Sequence, residues 1–131
     1  MTIELNFEKN YRGLLILVSD SLSGDDLMAM SKEVYALDQR SSLQYQILDL
    51  TAIDAVDIDE DLLVRLAELD AKAAERNPGM KIAVVATSEK ILNQSRQWAA
   101  MSKNDNLSTL VCSDMETARN WLAQFEMETT D

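Results

Sequence analysis

The sequence is poor in the residues on which most catalytic and metal sites depend. Its 131 residues contain no histidine, one cysteine and three glycines. Without histidine, the chain lacks the commonest general base, the Ser-His and Cys-His nucleophile pairs, and the usual ligand of transition metals. The glycines Gly13, Gly24 and Gly79 stand alone, so neither a phosphate-binding P-loop nor a dinucleotide-binding fingerprint can form. We therefore expect no catalytic residues, no metal site and no cofactor.

Positive charge is also scarce. The chain has 12 Lys and Arg residues against 23 Asp and Glu residues, which gives a formal net charge of -11. This charge repels phosphate backbones and anionic lipid surfaces, and no run of basic residues is long enough to reverse it locally. We therefore expect no nucleic-acid partner.

Long hydrophobic runs are missing too. The longest ones, such as LLILV and IAVVA, are far shorter than the roughly 20 residues that span a bilayer. Glu4 and Glu8 lie where a secretion signal has a basic start followed by apolar residues. The single cysteine, Cys112, cannot form an internal disulfide, and it ends an apolar strand pattern in which cysteine behaves as a small apolar side chain. We expect a cytoplasmic protein with no transmembrane segment.

What the chain does have is a regular alternation of strand and helix patterns. Residues 3–7 alternate apolar and polar side chains, whereas residues 14–19 are almost continuously apolar, which predicts a half-exposed strand followed by a buried one. Further strands are predicted at 45–50, 81–86 and 108–113, and helices at about 23–39, 59–76, 89–103 and 114–125. Strands that alternate with helices indicate βαβ crossovers and a largely parallel sheet.

This pattern predicts the fold class and the domain organisation. The length fits a single domain. We expect an α/β domain over residues 1–126, with a mixed, mostly parallel sheet of about five strands flanked by four helices. The hairpin formed by the first two strands adds an antiparallel edge, and residues 127–131 are expected to form a frayed C-terminal tail.

The most unusual segment is LDLTAIDAVDIDED, from Leu48 to Asp61, which carries six acidic residues and no basic one. Asp57, Asp59 and Asp61 have the spacing of the first ligands of an EF-hand calcium loop. That interpretation is excluded because Leu62 stands where the loop needs glycine for its sharp turn. A pair of catalytic carboxylates would need a cleft and a partner base, and the sequence indicates neither.

The start of a helix explains most of the same run. Asp57 and Glu60 have the spacing of a capping box, with Asp57 as the N-cap. Residues 59–61 would then lie in the first helical turn, where the helix dipole favours negative charge. This interpretation leaves Asp49 and Asp54 unexplained.

Three segments carry a resemblance to known domains. LDLTAIDAVDIDEDLL resembles part of the STAS domain, the anti-sigma-factor-antagonist fold, in which a strand ending in Asp-Leu-Ser leads through a short loop to Asp-Ser-Ser-Gly at a helix start. GMKIAVVATSEK and VCSDMETARNWL are more closely similar to the SpoIIAA-like family of small bacterial domains, which is related in fold to STAS and to the lipid-binding Sec14 domain. The resemblance covers nearly the whole chain and implies a STAS/SpoIIAA-like fold.

The acidic segment departs from the STAS pattern at the switch position. The resemblance aligns residues 49–51 with Asp-Leu-Ser, and Asp57 with the aspartate that precedes the paired serines. Ile58 and Asp59 stand where those two serines would be, and Glu60 replaces the glycine. Asp59 thus occupies the phosphoacceptor position and carries a fixed single charge, weaker than the nearly double charge of a phosphate. The phosphoacceptor serine is therefore missing.

The function that the resemblance implies is a non-enzymatic regulatory or protein-interaction module. The partner would be another protein or a second copy of the chain. The expected binding surface is the acidic loop after the third strand together with the start of the following helix. Its residues are Asp54, Asp57, Ile58, Asp59 and Glu60.

An alternative function is a carrier for a small apolar ligand or lipid. The relation to Sec14 implies an apolar pocket, and large apolar side chains are available to line it. The candidate pocket residues are Met28, Met30, Trp98 and Met101.

Overall fold

The computed structural model of the protein describes residues 2–37 and 43–128. In chain order the elements are β1 (Thr2–Glu8), β2 (Gly13–Ser23), α1 (Gly24–Leu37), β3 (Tyr45–Asp57), α2 (Glu60–Arg76), β4 (Met80–Val85), α3 (Glu89–Met101), β5 (Leu107–Cys112) and α4 (Met115–Glu128). The predicted α/β architecture, with a mixed five-stranded sheet and four helices in the described residues, is confirmed. The predicted end of the first helix, at residues 38–39, lies outside the described residues.

All five described strands form one sheet in the order β1-β2-β3-β4-β5. β1 runs antiparallel to β2, as the hairpin prediction requires, and the other neighbouring strands are parallel. The hairpin turn contains three consecutive residues in the left-handed conformation, Lys9, Asn10 and Tyr11, with φ angles of 50°, 58° and 65°. Non-glycine residues adopt this conformation at a cost, so the turn depends on the strand pairing that it closes.

The helices are divided unequally between the two faces of the sheet. α1, α2 and α3 pack on one face, and α4 packs alone on the other. The core beneath the three helices includes Leu14, Ile16, Val34, Leu63, Leu66, Ile82, Val84, Ile91 and Trp98. The core beneath α4 consists of Tyr45, Ile47, Ala83, Val85, Ala118 and Leu122. Because both faces are covered, the central strands are almost continuously apolar. No helix in the described ranges is long and apolar enough to cross a membrane.

A polar cluster joins β1, β3 and α4 at one end of the second face. The Tyr45 hydroxyl donates a hydrogen bond of 2.5 Å to the Glu8 carboxylate, and the Arg119 guanidinium donates two bonds of 2.7 Å each to the same carboxylate. Arg119 lowers the pKa of Glu8, and burial raises the pKa of Tyr45 to about 12. The Tyr45 ring lies against Gly13, where an added Cβ would be 2.0 Å from the ring carbon Cζ. Glycine is therefore required at the start of β2.

Two strands are longer than the sequence predicts. β2 continues to Ser23 and β3 continues to Asp57, and the two extensions remain paired with each other. The register shifts twice along this pairing, and Asp20 has a φ of 74° at one of the shifts. The segment after residue 50 is rich in Asp and Ala, which are depleted in strands, and this composition conceals the extension from propensity arguments. The interpretation of residues 54–57 as a loop is therefore wrong.

Candidate functional site

The helix α2 begins two residues later than the capping-box pattern predicts. The N-cap is Asp59, whose carboxylate accepts a hydrogen bond of 2.8 Å from the Leu62 N–H. Asp57 is instead the last residue of β3, so the prediction that Asp57 caps the helix is wrong. The physical reason is strand pairing, because the Ser23–Asp57 pair is the last pair of the β2–β3 ladder and holds Asp57 in an extended conformation.

The predicted binding surface spans the end of β3, the two residues that follow it, and the start of α2. Its residues are Asp54, Asp57, Ile58, Asp59 and Glu60. We call this set the acidic surface. Its four carboxylates are solvent-exposed, whereas Ile58 is half-buried and lines an internal cavity. The Ile58 carbonyl accepts a hydrogen bond of 3.1 Å from Gln94 Nε2, which anchors the surface to α3.

A polar groove lies beside the acidic surface, where the starts of α1 and α2 approach each other. Its volume is about 230 Å³. It is lined by Ser23, Gly24, Asp25, Asp57, Asp59, Asp61, Leu62 and Arg65. Four of these side chains are carboxylates and one is a guanidinium, so the groove carries net negative charge. In the described residues, no group of three or more Cys, Asp or Glu side chains has an arrangement that could hold a metal ion.

The carboxylates of the acidic surface form no ion pair in the described part of the chain, although Arg65 lines the same groove as Asp57 and Asp59. Over residues 2–37 and 43–128, no basic side chain forms an ion pair with any of them. Upstream, the Asp49 carboxylate makes hydrogen bonds within β3. It accepts one from the Thr51 N–H at 3.0 Å and one from the Thr51 hydroxyl at 2.7 Å. Asp49 is therefore held locally, whereas the acidic surface presents its charge to solvent.

A second feature is a cavity of about 70 Å³ between the sheet and the helices α1, α2 and α3. Of the four predicted pocket residues, Met30 and Trp98 line this cavity. Met28 is half-buried and packs against the same core, and Met101 is 42% exposed at the end of α3. The structure thus brings two of the four to the cavity and leaves Met101 at the surface.

The cavity contains a carboxylate that the sequence pattern did not single out. Asp70, on α2, accepts a hydrogen bond from the hydroxyl of Tyr35 on α1 and one of 2.7 Å from the indole Nε1 of Trp98 on α3. Asp70 is buried, and burial raises its pKa to about 6, although both hydrogen bonds act in the opposite direction. One carboxylate therefore links the three helices on this face of the sheet.

Two glutamine side chains also line the cavity. Gln46 Nε2 donates to the Tyr35 hydroxyl at 3.2 Å and contacts Met80 Sδ at 3.6 Å. Gln94 Oε1 is buried and has no hydrogen-bond partner within the described part of the chain. In the sequence, Asp70 is marked only by its position within α2. It interrupts the apolar stripe formed by Leu63, Leu66, Ala67, Ala73 and Ala74.

Comparison with solved structures shows which proteins share this fold. The structure of the anti-sigma factor antagonist SpoIIAA in its unphosphorylated form matches with a TM-score of 0.59 at 12% sequence identity, over 93% of this chain and 98% of that chain. An uncharacterised protein of the DUF3478 family from Shewanella loihica, with a SpoIIAA-like fold, matches with a TM-score of 0.55 at 14% identity, over 92% of each chain.

The chain therefore has the SpoIIAA-like fold, and the resemblance inferred from its strand and helix motifs is confirmed at the level of the fold. No protein-family model and no curated protein matches the sequence. Fold alone does not determine function, so any activity has to be argued from the residues of this chain.

Proposed function

We propose that the protein is a non-enzymatic, cytoplasmic regulatory module that binds another protein through its acidic surface. The observation that carries this proposal is the net negative charge of that surface, whose four exposed carboxylates form no ion pair with a basic side chain of the described residues. Such a surface attracts a partner with a complementary basic surface and raises its rate of association.

The fold supports a regulatory role by analogy. One similar solved structure is that of an anti-sigma factor antagonist. In the alignment that the resemblance implies, Asp59 stands at the position of the phosphoacceptor serine, and aspartate has no hydroxyl group and is already charged. We therefore propose that partner binding by this chain does not require a kinase.

A carrier function is the weaker proposal. Pockets for drug-sized ligands usually measure about 300–1,000 Å³. The cavity beside Asp70 measures about 70 Å³. The two carboxylate oxygens of Asp70 already accept hydrogen bonds from Tyr35 and Trp98. The cavity is therefore too small for a lipid, and the Asp70 carboxylate is already occupied by donors of the protein itself.

The proposed function can be tested with variants that remove charge and preserve the helix cap. Serine and asparagine are both good N-cap residues, so Asp59→Ser and Asp59→Asn should keep the bond to the Leu62 N–H while they remove the charge. A protein captured from lysate by the wild type should be identified, purified and titrated against each variant. We expect both substitutions to weaken binding by roughly fivefold, and Asp54→Asn/Asp57→Asn by roughly tenfold.

The matched control is Asp105→Asn, which removes one exposed carboxylate from the turn before β5. This variant should bind as the wild type does. This chain should bind the partner equally well after treatment with phosphatase, or when it is mixed with a lysate that contains a kinase inhibitor. Equal affinity of all variants would show that the acidic surface does not contact the partner, and the proposed surface would then be wrong.

A further inference from the structure

The extended part of β3 has an open side. β4 pairs with β3 only from Tyr45 to Asp49, whereas β2 pairs with β3 as far as Asp57. The N–H of Thr51 is already bound to the Asp49 carboxylate. In the described ranges, no strand and no other backbone group is hydrogen-bonded to residues 52–57 on the side away from β2. We call this side of residues 52–57 the open edge.

The side chains of these residues leave the open edge accessible. Ile53 and Val56 are half-buried and pack against the core, which fixes the strand in place. The exposed residues are Ala52, Asp54, Ala55 and Asp57. At about 3.3 Å per residue, the six residues span roughly 20 Å, the length of an ordinary strand. Pairing with β2 thus holds the backbone of the open edge in strand conformation, with one irregularity at Asp54, which has no register partner on β2.

We propose that the open edge binds a basic segment of a partner protein in an extended conformation, which adds a strand beside β3. This inference rests on the proposed function, because it specifies how the acidic surface holds its partner. In such strand addition, main-chain hydrogen bonds supply affinity and alternate side chains supply specificity. Asp54 and Asp57 stand on the open edge itself and select lysine or arginine on the added strand.

A second copy of the chain fits this edge poorly. Pairing of two open edges would bring Asp54 and Asp57 of one copy next to the same carboxylates of the other, and like charges on paired strands repel. Each copy also has a formal net charge of -11, which adds long-range repulsion. The charge of the edge therefore favours a basic partner over self-association.

Acidic residues on a free edge have a second known use, which is to block pairing with other strands. The two roles predict opposite effects of charge removal. If Asp54 and Asp57 only protect the edge, Asp54→Asn/Asp57→Asn should strengthen the binding of extended peptides or cause aggregation. If they select a basic strand, the same variant should bind that strand more weakly.

The test uses a synthetic eight-residue peptide of alternating lysine and valine, titrated by calorimetry against the full-length protein at low salt. A peptide of alternating glutamate and valine is the charge control. Two further lysine peptides carry N-methyl groups on alternate backbone nitrogens, in the two alternations. Because only one side of a strand faces its neighbour, we expect one alternation to weaken binding by at least about tenfold and the other to leave it nearly unchanged.

The protein variants complete the test. We expect Asp54→Asn/Asp57→Asn to weaken binding of the lysine peptide by roughly fivefold, and Asp105→Asn to leave it unchanged. Backbone amides of residues 52–57 should gain protection from hydrogen exchange when the lysine peptide is present. A protein that sediments as a dimer in the absence of peptide, and loses the dimer when peptide is added, would place a second copy on the edge and overturn the proposal.

The outcome also separates this inference from the proposed function. If both N-methylated peptides bind as the parent peptide does, while the Asp54→Asn/Asp57→Asn variant binds it weakly, strand addition is wrong and a purely electrostatic acidic surface stands. If neither N-methylation nor loss of the two carboxylates alters binding, both the strand addition and the proposed surface are wrong.

Discussion

The helix α2 carries carboxylates in two contrasting environments. At its start, Asp59, Glu60 and Asp61 are exposed to solvent, next to further carboxylates and without basic partners in the described residues. In its middle, Asp70 is buried beneath the neighbouring helices and accepts hydrogen bonds from both. The same chemical group is therefore exposed to solvent in one region and links three helices in the other.

This contrast shows that the density of acidic residues is a poor guide to perturbed chemistry. The acidic run attracts attention in the sequence because it contains six carboxylates close together. Yet water solvates exposed charges cheaply, whereas a single buried carboxylate must be stabilised by specific donors or must take up a proton. Burial accordingly raises the pKa of Asp70 to about 6. The isolated acidic residue is the one whose environment changes its chemistry.

The sharpest test of the contrast is to truncate one carboxylate of each kind on α2. Asp70→Ala would leave the Tyr35 hydroxyl and the Trp98 indole N–H without their acceptor in the interior. The loss of the acceptor for the buried Trp98 N–H, together with the loss of the bond from the half-buried Tyr35, should lower the free energy of unfolding by about 3 kcal/mol at pH 5. Glu68→Ala, on the exposed side of the same helix, should change it by less than about 0.5 kcal/mol.

Urea unfolding monitored by tryptophan fluorescence measures both variants. If Asp70→Ala were as mild as Glu68→Ala, the three-helix link through Asp70 would contribute nothing to stability. The buried and the exposed carboxylates of α2 would then contribute equally to the free energy of unfolding.

A second prediction concerns pH. The pKa of Asp70 in the folded protein, about 6, lies above the ordinary value of 3.8, so between these values the folded protein holds a proton that the unfolded chain has released. The stabilising contribution of that proton is complete below the ordinary pKa and is lost as the pH rises through the folded pKa. Across this window the free energy of unfolding should fall by about 3 kcal/mol relative to Asp70→Asn, which cannot titrate.

Urea unfolding of the wild type and Asp70→Asn at a series of pH values gives this difference directly. Glu8 has a lowered pKa and contributes in the opposite direction, but it is present in both proteins and cancels in the comparison. The indole N–H resonance of Trp98 supplies an independent reading, because its acceptor is the titrating group, and it should shift with a midpoint near pH 6. Parallel stability curves for the two proteins would contradict the assignment.

The fold could be predicted from the sequence because the apolar periodicity of each strand and helix agrees with the surfaces that it buries. The strands LLILVS and KIAVVA are covered on both faces, and α2 has one apolar stripe, so local patterns and packing give the same answer. The extension of β3 could not be predicted, since only its pairing with the end of β2 holds residues 52–57 as a strand. The extension is a strand although it is rich in Asp and Ala, which are depleted in strands.

The hydrogen-bonded group of Asp70, Tyr35 and Trp98 could not be predicted from the sequence for a different reason. The two donors of Asp70 come from α1 and α3, which are 35 and 28 residues away along the chain. No local pattern links such distant positions, and an isolated aspartate in a helix is usually exposed. Its position within the apolar stripe was the one usable signal. The residues of the acidic surface, by contrast, lie close together in the sequence, so the acidic run is visible there, and its role as a binding surface stays a prediction.

The smallest expected effect separates two exposed carboxylates that lie only two residues apart. Asp59 caps α2 through its bond to the Leu62 N–H, whereas Asp57 is an exposed strand residue with no such bond. Asp59→Ala should therefore cost about 1 kcal/mol of unfolding free energy, Asp57→Ala less than about 0.5 kcal/mol, and Asp59→Ser almost nothing, because serine also caps. Thermal and urea unfolding of the three variants will resolve these differences. A larger cost for Asp57→Ala than for Asp59→Ala would return the start of the helix to the capping box that the sequence pattern suggested.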